Sequence, residues 1–163
     1  MAPDLPAATQ RLLEAVPGLE AEIHFFSEGT KTAKDAAMAV GCPVSAIVKS
    51  LVFMAVHDDH EEPVLGLVPG DLRLDVEAFA KVAGASSTRR ASLEEVRSAT
   101  GYAAGGTPPF GHISEVRVFA DCQLERNDPV WAAGGTPTTV FPISIMELDR
   151  LARPTWAAFS LSS

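Results

Sequence analysis

The segment IVKSLVFMAV, residues 47–56, constrains the fold more than any other stretch of this chain. A continuous apolar run of this length reads as a strand buried on both faces. It is interrupted by Lys49 and Ser50 and is far shorter than the ~20 residues a membrane span needs. His57 to Glu62 reads as a polar turn, and Pro63 to Val68 returns as a second strand, the hairpin partner of the first.

Helix signals flank this hairpin. Asp4 caps a first helix with Leu5, Ala8, Leu12 and Val16 on its apolar side, ended by Pro17-Gly18. Glu20 to Phe26 alternates as a strand, with Ala21, Ile23 and Phe25 on one face. Thr32 and Asp35 have capping-box spacing and open a short helix that Gly41 stops and Pro43 follows. Asp75 caps a helix carrying Val76, Phe79, Ala80 and Ala83, ended by Gly84. Ser92 and Glu95 open another, ended by Gly101. Val116 to Ala120 reads as a strand. Val130 to Ala133 and Thr139 to Ile145 read as two more, around the Gly134-Gly135 turn. Ser144 and Glu147 cap a last helix carrying Leu148 and Leu151. The connections are too short and irregular for a βαβ series. The expectation is α+β, a single domain over residues 1–163 with its core at about 5–155, in which a mixed, twisted β-sheet carries packed helices.

The 163 residues, 47% hydrophobic and 21% charged, fit one domain with a real core. The two cysteines, Cys42 and Cys122, form neither a CxxC pair nor a zinc-ligand spacing. They suit a reducing, cytoplasmic compartment, and the N-terminus has no apolar signal-peptide core. A net charge of −8 argues against wrapping of DNA or of a tRNA body. A nucleic-acid substrate would be gripped locally, at one end.

Two features point to chemistry. Lys49 lies among apolar neighbours, where an ammonium needs a partner or a wet cavity. Either it snorkels to solvent from a strand end, or it stands at the mouth of a pocket. The second feature is Gly105-Gly106-Thr107-Pro108-Pro109-Phe110-Gly111-His112. Glycines permit close approach of a ligand, and prolines fix φ and remove donors. The amides left in such a stiff loop, those of Gly106 and Thr107 among them, can converge on an oxyanion or a ribose hydroxyl. The same composition also serves a plain connection. His57-Asp58-Asp59-His60 reads as a solvated hairpin tip rather than a metal site. His24 reads as a packed or surface residue. No GxSxG, Walker, GxGxxG or HExxH motif occurs, and neither cysteine has an evident histidine partner.

Three segments in this order resemble the YbaK / prolyl-tRNA synthetase insertion-domain superfamily of aminoacyl-tRNA deacylases: IVKSLVF, GYAAGGTPPFGH and VWAAGGTPTTVFPISIMELDRL. Lys49-Ser50 matches the family's lysine entering a central strand, Gly105 to Pro109 its GxxxP loop, and Gly134-Gly135 its late turn. The resemblance implies hydrolysis of the ester between a wrong amino acid and the 3′-terminal adenosine of tRNA, often tRNA for proline. It implies a catalytic set of Lys49, Gly105, Gly106 and Thr107. The lysine would act through the terminal phosphate, and the loop would hold the ribose and the aminoacyl carbonyl. Ser50, Pro108, Pro109, Gly111, His112, Gly134, Gly135 and Thr136 would complete the substrate site. Attack would come from a water activated by the substrate's ribose hydroxyl, with no metal or other cofactor. This chain has Thr136 where some editing domains have histidine, and His112 is the candidate substitute. The expected function is therefore a trans-editing hydrolase for tRNA carrying a small wrong amino acid. A synthetase or elongation factor is a possible supplier of tRNA selectivity, and no membrane partner is expected. The alternatives are a non-catalytic aminoacyl- or nucleotide-binding module and a regulator docked on a synthetase.

Overall fold

The computed structural model describes residues 5–26 and 32–162; the Asp4 cap lies outside them. In chain order the elements are α1 (Ala7–Ala15), β1 (His24–Phe25), α2 (Ala33–Val40), β2 (Val48–Val56), β3 (Glu61–Pro69), β4 (Leu72–Leu74), α3 (Val76–Ala83), β5 (Ser87–Arg90) and α4 (Leu93–Thr100). β6 (Arg117–Asp121), β7 (Val130–Ala133), β8 (Thr139–Ile143), α5 (Ile145–Ala152), β9 (Thr155–Ala157) and β10 (Ser160–Ser162) follow.

The expected hairpin is the centre of the molecule. β2 and β3 pair antiparallel from Val48↔Pro69 to Val56↔Glu61. β5 joins β2 antiparallel, while β6 joins β3 and β9 joins β6 in parallel. The resulting mixed sheet has the order β5-β2-β3-β6-β9. Because side chains alternate along a strand, β2 and β3 present two apolar faces. Val48, Val52, Leu65 and Leu67 pack with Leu12, Phe110, Phe141 and Leu148 on one side. Phe53, Ala55, Val64 and Val68 pack with Phe79, Phe119 and Phe159 on the other. The strand is thus covered on both faces, and the α+β expectation holds.

Four helix starts follow their caps, whereas α1 begins after Pro6 with no side-chain cap. Thr32 with Asp35, and Ser92 with Glu95, form reciprocal capping boxes. Asp75 accepts from the Glu77 and Ala78 amides, and Ser144 accepts from Glu147. That last cap ends β8 at Ile143, two residues short of the expected Ile145.

Other expectations are corrected. The described strands form three sheets rather than one: β1-β8-β7 and β10-β4 stand apart from the central sheet. A single parallel bridge, Ile47↔Trp131, ties β7 to the entry of β2. The strand expected over Glu20 to Phe26 shrinks to His24–Phe25. Ala21 and Ile23 pack into the core, but Phe25 is 43% exposed and the alternation fails there. Phe26 turns instead toward Ala36, Ala37 and Ile47.

Candidate functional site

The edge of β2 opens a cleft. β5 covers Phe53 to Val56, and the bridge to Trp131 covers Ile47. Among the described residues, Val48 to Leu51 have no strand partner on that side. A cleft of about 560 Å³ lies along this stretch. Its far wall is Trp131 and Ala133 of β7 with Pro137 to Val140, and α2 contributes Ala33 and Ala36. The Gly/Pro loop closes it with Gly105 and Thr107. A smaller cavity of about 120 Å³ shares Ser50, Leu51, Arg90, Gly105 and Thr107 with the cleft.

Lys49 and Ser50 point to opposite faces of β2, as neighbours on a strand must. Both line the cleft because it lies at the strand's edge, where the two faces meet. The Lys49 ammonium donates to the Leu72 carbonyl and is half-buried. Burial pushes it below its ordinary value; Asp71 opposes that shift and Arg90 adds to it. Asp71 is already held by both terminal nitrogens of Arg126, at 2.8 and 3.0 Å. The Ser50 hydroxyl is buried and has no hydrogen-bond partner among the described residues. Lys49 is thus one of the residues that line the cleft.

The glycine loop is pressed against the late turn. A methyl added at Gly106 would sit 2.6 Å from the Thr136 α-carbon. Gly105 has φ +86°, which favours glycine. The Gly106 amide donates to the Ala103 carbonyl at 3.0 Å, so it is committed inside the loop rather than free to meet a ligand as expected. Among the described residues the Thr107 amide has no partner. The Thr107 hydroxyl donates to Ala103 at 3.1 Å. In the facing turn the Thr136 hydroxyl meets that of Thr139 at 2.8 Å, and Thr139 accepts from the Thr136 amide at 3.3 Å.

The other expected site residues are not among those that line this cleft. Pro109, Gly111 and His112 line a second groove with Glu115 and Arg117. His112 Nε2 is 2.7 Å from the Pro108 carbonyl, and burial lowers the imidazole from its ordinary value. Added methyls at Gly111 and Gly135 would lie 2.9 Å from Leu12 and 3.0 Å from the Ala8 backbone. These two glycines let both loops dock on α1. The loop's composition merges two tasks, and sequence reading does not separate them. It also missed Arg90, Trp131, Thr138 and Thr139, which line the cleft. The TPTT run beside Gly134-Gly135 was the available signal for the threonines; nothing in the sequence singled out Arg90 or Trp131.

The hairpin tip gathers one nitrogen each from His57 and His60 and one Glu62 oxygen within 4.8 Å of one another. Glu62 is engaged there by Arg117 at 2.8 Å and by His57 at 2.7 Å. Among the described residues, no helix is long and apolar enough to cross a membrane.

The profile of the family described as "Aminoacyl-tRNA editing domain" matches residues 27–151. The chain is 35% identical over 118 residues to a proline–tRNA ligase of Nitratidesulfovibrio vulgaris, a match covering 72% of this chain and 20% of the ligase. It therefore spans about a fifth of that relative's length. It is 31% identical over 110 residues to the Enterococcus faecalis protein named "Putative Cys-tRNA(Pro)/Cys-tRNA(Cys) deacylase EbsC", covering 68% of this chain and 65% of that one. A solved structure described as "a putative trans-editing enzyme for prolyl tRNA synthetase" superposes with a TM-score of 0.87 at 37% identity, covering 98% of this chain and 100% of that one. With the Lys49 strand, the glycine loop and the late turn meeting at one cleft, these matches place the chain in the aminoacyl-tRNA editing domain family.

Proposed function

We propose that this chain is a trans-editing deacylase that hydrolyses the ester of misacylated tRNA, tRNA for proline carrying a small wrong amino acid. The observation that carries the reading is the meeting of three sequence-distant segments at one cleft: Lys49-Ser50, Gly105 to Thr107, and Pro137 to Thr139. The similarity over 98% of this chain and 100% of the structure described as "a putative trans-editing enzyme for prolyl tRNA synthetase" supports action in trans.

An aminoacyl ester is already activated, so holding it beside water and stabilising its oxyanion supplies much of what hydrolysis needs. In this reading the unpartnered Thr107 amide faces the developing oxyanion. Lys49 supplies positive charge to the terminal phosphate, and Ser50 offers a hydroxyl to the substrate. Glycine at positions 105 and 106 holds the loop at that distance. The described residues lining the cleft include no histidine and no carboxylate. As the family resemblance implies, the substrate's ribose hydroxyl is the group that orients the water. Pro108, Pro109, Gly111, His112, Gly134, Gly135 and Thr136 support the two loops from outside the cleft.

The apolar floor of Ala33, Ala36, Ile47 and Trp131 suits a small uncharged side chain. A net charge of −8 suits contact limited to the acceptor end, with a synthetase or elongation factor selecting the tRNA. The test is a panel of tRNA for proline charged with alanine, cysteine or serine. Rapid loss of one ester is expected; no hydrolysis of any overturns the reading. Tight binding of an aminoacyl-adenosine mimic without turnover would mark a binding module instead.

A further inference from the structure

Arg89 and Arg90 are adjacent on β5, so their side chains leave opposite faces of the sheet. Arg89 is locked, with both terminal nitrogens on Glu95 at 2.8 and 2.9 Å and a further bond to Glu61. Arg90 has none of this. It pairs along the backbone with Phe53. Its exposed side chain lines both the cleft and the smaller cavity beside it. Among the described residues it makes no hydrogen bond or ion pair. Phe53 and Lys49 share the same face of β2, which sets Arg90 on the Lys49 side of the cleft mouth. The two cations are close enough that Arg90 disfavours the charge on Lys49. Among the described residues, the carboxylate acting on Lys49 is that of Asp71, which Arg126 already holds. On a chain of net charge −8 these are two neighbouring positive groups at the cleft, neither of them in an ion pair with a described residue. Beside it, Leu93 is 76% exposed and lines the smaller cavity.

We infer that Arg90 is the positioning residue that grips a backbone phosphate of the single-stranded acceptor end as it enters the cleft. The inference rests on the proposed deacylase reading and deepens it. A guanidinium presents paired donors that match two phosphate oxygens, and it stays charged where a second cation stands nearby. Its task is to fix the register of the strand, so that the ester lies beyond Lys49 at the Thr107 amide. Arg90 touches no reacting atom.

Two non-hydrolysable probes test this: a CCA trinucleotide with an amide-linked 3′-alanyl group, and the 3′-alanylamino adenosine nucleoside, which has no phosphate. R90A should weaken trinucleotide binding about 10- to 100-fold and leave nucleoside binding unchanged. The slope of log affinity against log salt for the trinucleotide should fall by about 0.7, the value for one phosphate on a single strand. R90K should keep that slope. Equal effects on both probes, an unchanged slope, or no trinucleotide binding by the wild-type chain would each overturn the inference. Arg90-dependent binding without cleavage of any ester would sink the deacylase reading and leave this one standing. Ester cleavage with binding indifferent to Arg90 would do the reverse.

Discussion

Gly106 lies against the backbone of Thr136 so closely that an added methyl would stand 2.6 Å from the Thr136 α-carbon and 2.9 Å from its nitrogen. Backbone atoms cannot turn aside as a side chain does, so Gly106→Ala forces the loop and the turn apart. Overpacking of this kind costs about 1–3 kcal/mol. Gly106→Ala should lower the denaturation midpoint by a corresponding amount, and deacylation should fall further than stability because the two walls of the cleft separate. Gly105→Ala meets only Pro137 carbons, 3.9 Å away, and its penalty comes from φ +86° alone, about 1–2 kcal/mol. Equal stability of Gly106→Ala and wild type in urea would refute this account of the contact.

The central hairpin, the helix caps and the late turn were legible because each depends on neighbours in sequence. The apolar run at 47–56 needs cover on both faces whatever covers it. Ser92 and Glu95 cap a helix by contacts three residues apart. The missed strands are short, and Ser87–Arg90 is polar; β5 exists only because β2 offers it an edge. The site was half legible for the same reason. Lys49 stands out as a cation in an apolar run. Arg90 looks like any surface arginine until the pairing of β5 with β2 sets it at the cleft. The Gly/Pro loop serves two places that its composition does not separate: Gly105 and Thr107 meet the cleft, whereas Gly111 and His112 face the other groove.

Thr139 is fully buried and its hydroxyl accepts from the Thr136 amide while meeting the Thr136 hydroxyl at 2.8 Å. Thr139→Val keeps the shape and removes the acceptor, leaving the Thr136 amide unpaired. An unsatisfied group of this kind costs about 1–3 kcal/mol. The variant should unfold at lower urea by that amount and show reduced deacylation, because the turn forms one wall of the cleft. Thr138→Val removes only a 3.4 Å contact with Thr136 and should unfold with the wild type. Equal losses from the two variants would count against the hydrogen-bond assignment.

Lys49 tests the opposition between stability and activity. Its ammonium is disfavoured by burial, so the folded-state pKa lies below the ordinary value of 10.5. Between those two values the unfolded chain binds more protons, and stability attributable to this group rises with pH. At neutral pH the charged lysine is therefore a burden on the fold. Lys49→Met should hold or raise the denaturation midpoint at pH 7 while lowering deacylation at least about tenfold, the scale of one lost charged contact. The difference in midpoint between the two proteins should narrow as pH approaches 10.5. A Lys49→Met chain that is both less stable at pH 7 and fully active would contradict both assignments.

His112 gives the acid side of the same linkage. Burial, opposed by its bond to Pro108, holds the folded-state imidazole below its ordinary value of 6.5. In the window between the lowered value and 6.5 the unfolded chain takes up the proton first. The stabilisation from neutral His112 is thus fully present above pH 6.5 and is lost as pH falls through the lowered value. His112→Gln keeps an amide donor for the Pro108 carbonyl and cannot titrate. Urea midpoints measured from pH 7.5 to pH 5 should fall more steeply for wild type than for His112→Gln, and the two curves should draw together toward acid. Because His112 faces the groove outside the Lys49 cleft, kcat of the glutamine variant at pH 7.5 should stay within about threefold of wild type, less than the loss that removing a positioned general base produces. A loss of a hundredfold or more in kcat would instead make His112 a participant in the chemistry, reached by movement of the 105–112 loop.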